Sequence, residues 1–165
     1  MTTVTDSKCA EDIMCRSVVT IRSTETLREA VAQLSFNQVS GLPVVDQEDR
    51  CIGVISASDI LAFEDDYALG VDGRNNVVGS YFDPDTHQWE TVRMMGDVEV
   101  LDDVRVSEEM SRDLVSVRPA DSLSTVAGRL LKKGVHRVLV LDEQQKLHGV
   151  ISASDFVHLF VEENK

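Results

Sequence analysis

The chain has 165 residues, of which 42% are hydrophobic and 27% charged, and its formal net charge is −13. This composition is ordinary for a folded chain, and the acidity argues against non-specific binding to nucleic acid or to an anionic membrane. The three cysteines show no C-x-x-C pair, the histidines show no metal-site spacing, and residues 1–8 lack the apolar stretch of a signal peptide, so we expect a cytoplasmic protein without disulfides or a metal centre.

The first predicted elements lie between residues 18 and 61. A β-branched run at residues 18–21 predicts a strand. Apolar residues then recur at the i, i+3, i+4 and i+7 spacing of one helix face. These residues are Leu27, Ala30, Val31 and Leu34. Two further strands are predicted at residues 42–45 and 51–55, and a second helix is predicted from Ser56 onward.

The same order of elements returns 96 residues later. The run G-V-I-S-A-S-D at residues 53–59 recurs unchanged at 149–155, and residues 12–61 align without a gap to 108–157, with 16 identities in 50 positions. The chain is therefore two copies of one β-α-β-β-α unit, which predicts an α/β (α+β) fold. Because a unit of this size is marginal alone, we expect the copies to pack sheet to sheet as a pseudo-twofold pair.

An acidic segment separates the two copies. Residues 62–105 hold 11 acidic and three basic residues, so most of the net charge lies outside the repeats. Within this segment, two apolar-rich runs flank Asp-Pro-Asp-Thr at 83–86, which is typical of a β-hairpin turn. We therefore divide the chain into repeat 1 at 8–61, an acidic insertion at 62–105 and repeat 2 at 106–160.

Two β-α-β-β-α units that each end in G-h-I-S-x-S-D-h resemble paired CBS (cystathionine β-synthase) domains, an arrangement called a Bateman module. The lead-ins D-I-M and E-E-M and the L-P-V-V-D run fit the same family. The resemblance covers about 110 of the 165 residues and leaves out the insertion. It implies a regulatory module rather than an enzyme, with AMP, ADP, ATP or S-adenosylmethionine as the ligand.

The resemblance also assigns binding roles to individual residues. In the family, the aspartate of the final motif holds the ribose hydroxyls, the serine three residues earlier faces the phosphates, and a polar residue on the first strand lies at the adenine. The matching residues are Thr20, Ser56 and Asp59 in repeat 1, and Ser116, Ser152 and Asp155 in repeat 2. A carboxylate can accept from both ribose hydroxyls, and a helix N-terminus offers backbone amides to phosphate.

The same motif has a purely structural alternative. S-x-x-D after an apolar strand is close to a helix capping box. A serine cap followed by an acid stabilises a helix without any ligand. Both roles can coexist, because the cap holds the aspartate in place.

The two copies differ in one charged segment. Residues 128–137 hold four basic and no acidic residues, whereas the matching residues 32–41 carry no charge. In nucleotide-sensing members of the family, a His-Arg pair entering the second strand contacts phosphates. His136 and Arg137 match that pair, and repeat 1 has Ser-Gly there. The alternative is a solvated basic helix end, which we accept for the two lysines because they suit the negative C-terminal dipole.

We therefore expect a non-catalytic module that binds an adenine nucleotide in the cleft between the repeats and signals to a separate partner protein, as a homodimer and without a required cofactor. The alternative is a ligand-free assembly module with the same fold and dimer. Catalysis is not indicated, because the sequence shows no P-loop, no G-x-S-x-G and no G-x-G-x-x-G.

Overall fold

A computed structural model describes residues 8–68, 75–83, 86–95 and 99–163. The chain divides into two compact units. The central unit comprises residues 19–113, and the terminal unit joins the chain up to residue 18 with the chain from residue 114 onward. Over the described residues, no helix combines the length and the apolar character that crossing a membrane requires.

The central unit is built on a three-stranded sheet in the order β1-β2-β3. Strand β1 runs parallel to β2 across helix α2, and β2 turns back antiparallel into β3. The elements are β1 Ile21–Arg22, α2 Leu27–Asn37, β2 Gly41–Val45, β3 Cys51–Ser56, α3 Ala57–Ala68, β4 Asn75–Asp83, β5 Gln88–Met95, α4 Val100–Asp103 and α5 Val106–Glu109.

The terminal unit repeats this plan without the hairpin. Its sheet has the order β6-β7-β8, with β6 parallel to β7 and β7 antiparallel to β8. The elements are α1 Ala10–Ile13, β6 Ser116–Val117, α6 Leu123–Lys133, β7 Arg137–Leu141, β8 Leu147–Ser152 and α7 Ala153–Glu163. The predicted order of elements in both repeats, and the mixed α/β fold class, are confirmed.

The first strand of each repeat is shorter than predicted. The β-branched runs predicted strands at 18–21 and 114–117, but the strands hold only two residues each. In the central unit the register places Thr20 level with Pro43, which has no N–H to donate to the ladder. In the terminal unit Leu139 does donate its N–H to the segment before β6, at 3.0 Å, yet β6 is equally short. The missing proline donor therefore explains why Thr20 lies outside β1, and it does not explain the two-residue length of both strands.

The acidic insertion contains the predicted hairpin. Strands β4 and β5 pair antiparallel and extend beyond the apolar-rich runs, which lie at 77–82 and 88–92 in the sequence. β4 lies beside α2, and β5 lies beside α3, so the hairpin belongs to the central unit. Residues 84 and 85 of the predicted turn lie outside the described residues.

The segments that lead into the repeats are exchanged between the units. Residues 8–18 open repeat 1 in sequence, yet Cys15 and Val150 of repeat 2 form a pair of backbone hydrogen bonds of 2.9 and 3.0 Å. In the same way, Ser111 pairs with Val54 through two bonds of 2.9 Å. The sequence repeats at 8–61 and 106–160 and the compact units therefore have different bounds.

Two glycines of the duplicated motif make this exchange fit. A Cβ atom on Gly149 would lie 2.7 Å from the Cys15 carbonyl oxygen and 2.8 Å from Met14 Cγ. A Cβ atom on Gly53 would lie 2.5 Å from Met110 Sδ. Both methionines are buried and pack against these glycines. In each unit the methionine of the lead-in segment therefore packs directly against the glycine of the motif.

Each unit has its own cluster of buried side chains. The predicted apolar face of α2 is buried in the central unit, which confirms the periodicity. Cys51 is buried, and its burial raises the pKa of its thiol. A buried thiol with a raised pKa is a poor nucleophile, so Cys51 serves packing.

The long helices begin and end at recognisable caps. Thr26 accepts a hydrogen bond from the Glu29 N–H, and the Glu29 carboxylate accepts one from the Thr26 N–H, so α2 starts with a capping box. Helix α2 ends at Gln38 and α6 ends at Gly134, and both residues are left-handed, with φ of 55° and 62°. Only the terminal unit uses the residue that this conformation favours.

Candidate functional site

The duplicated S-A-S-D motif lies where the last strand of each sheet ends and the last helix begins. Ser56 closes β3 and Asp59 lies in the first turn of α3, while Ser152 closes β8 and Asp155 lies in the first turn of α7. All four residues are partly buried. The motif therefore presents a carboxylate at a helix N-terminus, where the helix dipole favours negative charge.

In the central unit the motif forms a cap. The Ser56 N–H and the Ser56 hydroxyl both donate to Asp59 Oδ2, at 2.7 and 2.6 Å. The Asp59 N–H in turn donates to Ser56 Oγ at 3.3 Å. The structural alternative raised by the sequence is thus real: the serine and the aspartate fix each other.

The terminal unit repeats this geometry. The Ser152 N–H and hydroxyl donate to Asp155 Oδ2 at 2.6 and 2.8 Å. In both units every hydrogen bond to the carboxylate reaches Oδ2. Within the described part of the chain, Oδ1 of each aspartate accepts no hydrogen bond. Each carboxylate is held in place by one oxygen and keeps the other for a donor.

Thr20 and Ser116 lie toward the same end of their sheets. Ser116 is the first residue of β6 and pairs with Leu139, two residues along β7 from Arg137. Thr20 directly precedes β1 at the matching position. Two residues of a strand span about 7 Å and two strand spacings add about 9.6 Å sideways, so each of these positions lies on the order of 12 Å from the motif of its repeat.

The predicted His-Arg pair lies at the edge of the terminal-unit motif. Arg137 begins β7 and is directly paired with Ser152 across the β7–β8 ladder. Directly opposed residues have side chains on the same face with Cβ atoms about 5 Å apart. The His136 carbonyl accepts a hydrogen bond from the Ala153 N–H at 3.0 Å, and the His136 side chain is exposed. Arg137 is thereby placed beside the motif of its own repeat.

The central unit has the same backbone arrangement without the cation. Gly41 is paired with Ser56, and the Ser40 carbonyl accepts the Ala57 N–H at 3.1 Å. The two sites thus share strands, cap and aspartate, and they differ in the residue opposite the serine. The sequence showed that only repeat 2 has the His-Arg pair. That Arg137 lies opposite Ser152 became known only from the strand pairing in the structure.

Other chemistry is not apparent in the described residues. Across 8–68, 75–83, 86–95 and 99–163, no group of three His, Cys, Asp or Glu side chains is arranged to hold a metal ion. Cys9 donates to Asp12 at 3.1 Å, and that hydrogen bond raises the pKa of its thiol. Thiols with raised pKa values are less reactive.

Comparison with known proteins identifies the sequence pattern independently. A family model described as the CBS domain matches residues 10–66 and 102–162. The inosine-5'-monophosphate dehydrogenase of Methanocaldococcus jannaschii is 22% identical over 150 residues, which are 91% of this chain and 23% of that enzyme. The 5'-AMP-activated protein kinase subunit gamma of Dictyostelium discoideum is 24% identical over 150 residues, or 90% of this chain and 23% of that subunit. The chain therefore spans about a quarter of the length of these two relatives.

Solved structures share the fold. The structure of CBSX2 in complex with AMP superimposes with a TM-score of 0.67 at 19% identity, covering 95% of this chain and 98% of that chain. The CBS domain pair of protein MJ0100 in complex with 5'-methylthioadenosine and S-adenosyl-L-methionine has a TM-score of 0.62 at 19% identity, with coverage of 94% and 98%. At these identities the likeness establishes the fold.

Proposed function

Because the chain belongs to the CBS domain family, we propose that it is a non-catalytic regulatory module that binds an adenine nucleotide. One observation carries the proposal: each repeat holds an aspartate at a helix N-terminus with Oδ2 fixed by the cap and Oδ1 without a donor among the described residues. The AMP bound to CBSX2 and the adenosine compounds bound to MJ0100 support this ligand class.

The proposed contact is between the carboxylate and the ribose. The two vicinal hydroxyls of a ribose can donate to one carboxylate, and hydrogen bonds to an ionised group are stronger than neutral ones. The cap fixes the carboxylate before the ligand arrives, so little conformational entropy is lost at that group on binding. Thr20 and Ser116 are proposed to contact the base, and Ser56 and Ser152 the phosphates.

The phosphates are proposed to select the terminal-unit site. Arg137 adds a permanent positive charge beside Ser152, whereas Gly41 adds none beside Ser56. We therefore assign AMP, ADP or ATP first to Asp155, with His136 and Arg137 at the phosphate. S-adenosylmethionine, which carries no phosphate, does not depend on this arginine. The module is further proposed to act as a homodimer that signals to a separate partner protein.

A ligand-free assembly module is the second candidate. It is favoured by the cap itself, since Ser56 and Ser152 hold Oδ2 of their aspartates without any ligand. A serine cap alone contributes about 1 kcal/mol to helix stability, which is reason enough for a duplicated motif. The two candidates differ in one measurable property, the binding of adenosine compounds.

Titration calorimetry with adenosine, AMP, ATP and S-adenosylmethionine tests the proposal. A ligand at about 100 times its dissociation constant adds about 2.7 kcal/mol of stability, which raises the melting temperature of a chain of this size by roughly 5–10 °C. Asp155→Asn should weaken every adenosine compound, and Asp113→Asn, at an exposed position, is the matched control. No heat and no melting shift with any compound at millimolar concentration would favour the assembly module.

A further inference from the structure

The motif site of the central unit lacks the cation that its counterpart has. Gly41 is paired with Ser56, at the position that Arg137 takes opposite Ser152 in the terminal unit. A Cβ atom on Gly41 would lie 3.6 Å or more from its nearest neighbours, which is ordinary van der Waals contact. Packing therefore allows a side chain at this position, and its absence leaves the partly buried Ser56 and Asp59 without a charged neighbour across the ladder.

Most arginines that the structure describes in the central unit are bound to other groups. Arg22 is level with Val45, the last residue of β2, whereas Gly41 is the first. The length of β2, about 13 Å, separates these two ends. Four arginines have acceptors that hold them: Arg22 with Asp49, Arg28 with Asp102, Arg50 with Asp46, and Arg105 with the Thr24 carbonyl. Arg22 and Arg50 therefore lie at the end of the sheet opposite to the motif.

A fifth arginine is common to both units. Arg112 donates to the Ser107 carbonyl at 3.2 Å, and its counterpart Arg16 donates to the Glu11 carbonyl at 3.3 Å. Because both units have this arginine in the same contact, it cannot distinguish their sites. The other two basic residues of the central unit, at positions 74 and 93, belong to the insertion. Among the described side chains, the sites therefore differ by the cation opposite the serine.

The charge of the surrounding unit differs as well. Residues 19–113 hold 20 acidic and seven basic residues, whereas residues 1–18 and 114–165 hold nine of each. An acidic unit repels a phosphate group and attracts a cation. Salt screens charges beyond about 8 Å, so a cation next to the ligand can offset this repulsion. The terminal site has such a cation in Arg137, and the central site has Gly41 in its place.

We propose that the central-unit site selects an adenosine compound whose 5′ substituent is positively charged, and that Gly41 determines this preference. The inference rests on the proposed function, because it uses the same contact between Asp59 and the ribose, and it adds the ligand class of one site. A 5′ sulfonium, as in S-adenosylmethionine, has the matching chemistry. Its ribose hydroxyls are those of a nucleotide, and the group next to C5′ is a cation instead of a phosphate. The two sites of one chain then bind different adenosine compounds.

The test is calorimetric titration of the full-length protein after one site has been weakened. Asp155→Asn leaves the central site to be measured. In this variant we expect S-adenosylmethionine to bind at least about tenfold more tightly than AMP, which is the size of effect that one charged contact gives. S-adenosylhomocysteine, the thioether without the positive charge, should bind more weakly than S-adenosylmethionine. This difference should shrink as salt is added, because it is electrostatic.

Gly41→Arg, added to the Asp155→Asn protein, tests the selecting position itself. It copies the terminal site, so AMP should gain at least about tenfold in affinity and S-adenosylmethionine should lose affinity. Gln47→Arg is the matched control, because it adds the same charge to the same unit at an exposed position of the turn that follows β2. It should leave the preference unchanged. Circular dichroism and the melting temperature establish that each variant is folded.

The outcomes separate this inference from the proposed function. Equal affinities for AMP and S-adenosylmethionine in the Asp155→Asn protein would overturn the inference and leave nucleotide binding standing. The same holds if only the Asp59→Asn protein, which retains the terminal site, binds any adenosine compound. A preference that Gly41→Arg does not alter would overturn the role of Gly41. Binding of no adenosine compound to either single-site variant or to the unsubstituted chain would overturn both proposals.

Discussion

The two compact units are copies that have kept their framework and diverged at their surface. Both retain the glycine, the serine and the aspartate of the motif, because each has a contact that is repeated with nearly the same distances in the other unit. They differ in net charge, in the residue facing the serine and in the residue that caps the C-terminus of the first long helix. The shared residues are those that the fold of each unit requires, and the residues that differ are candidates for a role in one unit only.

The largest effect is expected at the two motif glycines. An added methyl group on Gly149 would meet the Cys15 carbonyl, which is held by the Val150 N–H and cannot withdraw. On Gly53 it would meet Met110 Sδ at 2.5 Å and the Ser111 carbonyl oxygen at 2.9 Å, which the Val54 N–H holds in the same way. Overpacking costs about 1–3 kcal/mol, so both Gly149→Ala and Gly53→Ala should lie toward the upper end. Urea denaturation measures both.

Gly128→Ala serves as the control for these two variants. Gly128 lies inside α6, and a Cβ atom there would meet nothing within 4 Å. Alanine is a better helix former than glycine, so this variant should gain about 0.5–1 kcal/mol. A Gly149→Ala protein as stable as the parent chain would show that the exchanged lead-in does not pack against β8.

Smaller changes in stability, of opposite sign to each other, are expected for substitutions at the C-terminal caps of α2 and α6. Gln38 adopts a left-handed conformation that favours glycine, and Gly134 already supplies it. Gln38→Gly should therefore stabilise the chain by about 0.5 kcal/mol, and Gly134→Ala should destabilise it by about 1 kcal/mol. Thermal unfolding of the two variants decides the sign. Destabilisation by both would mean that the Gln38 side chain has a role that its conformation does not indicate.

The smallest effect concerns the turns that join the last two strands of each sheet. A hydrogen bond from His148 Nε2 at 2.9 Å is the main cause that lowers the pKa of Asp142. The pKa of Asp46 is lowered chiefly by the Arg50 backbone N–H, at 2.9 Å. A lowered folded-state pKa gives stability that is present above the unfolded value, about 3.9, and is lost as the pH falls through the folded value.

These causes predict different responses to side-chain removal. His148→Ala should raise the pKa of Asp142 toward its usual value, so that its stabilising effect is lost at a higher pH. Arg50→Ala should raise the pKa of Asp46 less, because the backbone N–H remains. Carboxyl carbon chemical shifts followed during acid titration give both values. Equal shifts in the two variants would contradict the assigned causes.

Much of the framework was predictable from the sequence because it depends on local patterns. The 96-residue offset identified the duplication, the periodicity of Leu27, Ala30, Val31 and Leu34 identified a buried helix face, and the S-x-x-D spacing identified the caps. The periodicity and the cap spacing involve residues within a single helix or turn, and the offset follows from comparing the sequence with itself. Local propensity and the fold agree at these positions.

The exchange of the lead-in segments was not predictable in this way. Met14 lies 39 residues before Gly53 and 135 before Gly149, and nothing in the local sequence indicates that it packs on the more distant glycine. The two-residue first strands and the pairing of Arg137 with Ser152 likewise depend on long-range register.

The central claim is that Arg137 makes the two otherwise equivalent sites unequal. The most direct measurement is calorimetric titration of Arg137→Ala with adenosine, AMP and ATP, with Arg129→Ala as the control at an exposed cation of α6. A hydrogen bond to a charged group contributes about 1.5–3 kcal/mol, or roughly ten- to a hundredfold in affinity. The account predicts that Arg137→Ala weakens AMP and ATP at least about tenfold, leaves adenosine nearly unchanged and differs from Arg129→Ala. Equal losses for adenosine and ATP, or a tight site that Asp59→Asn abolishes while Asp155→Asn has no effect, would contradict it.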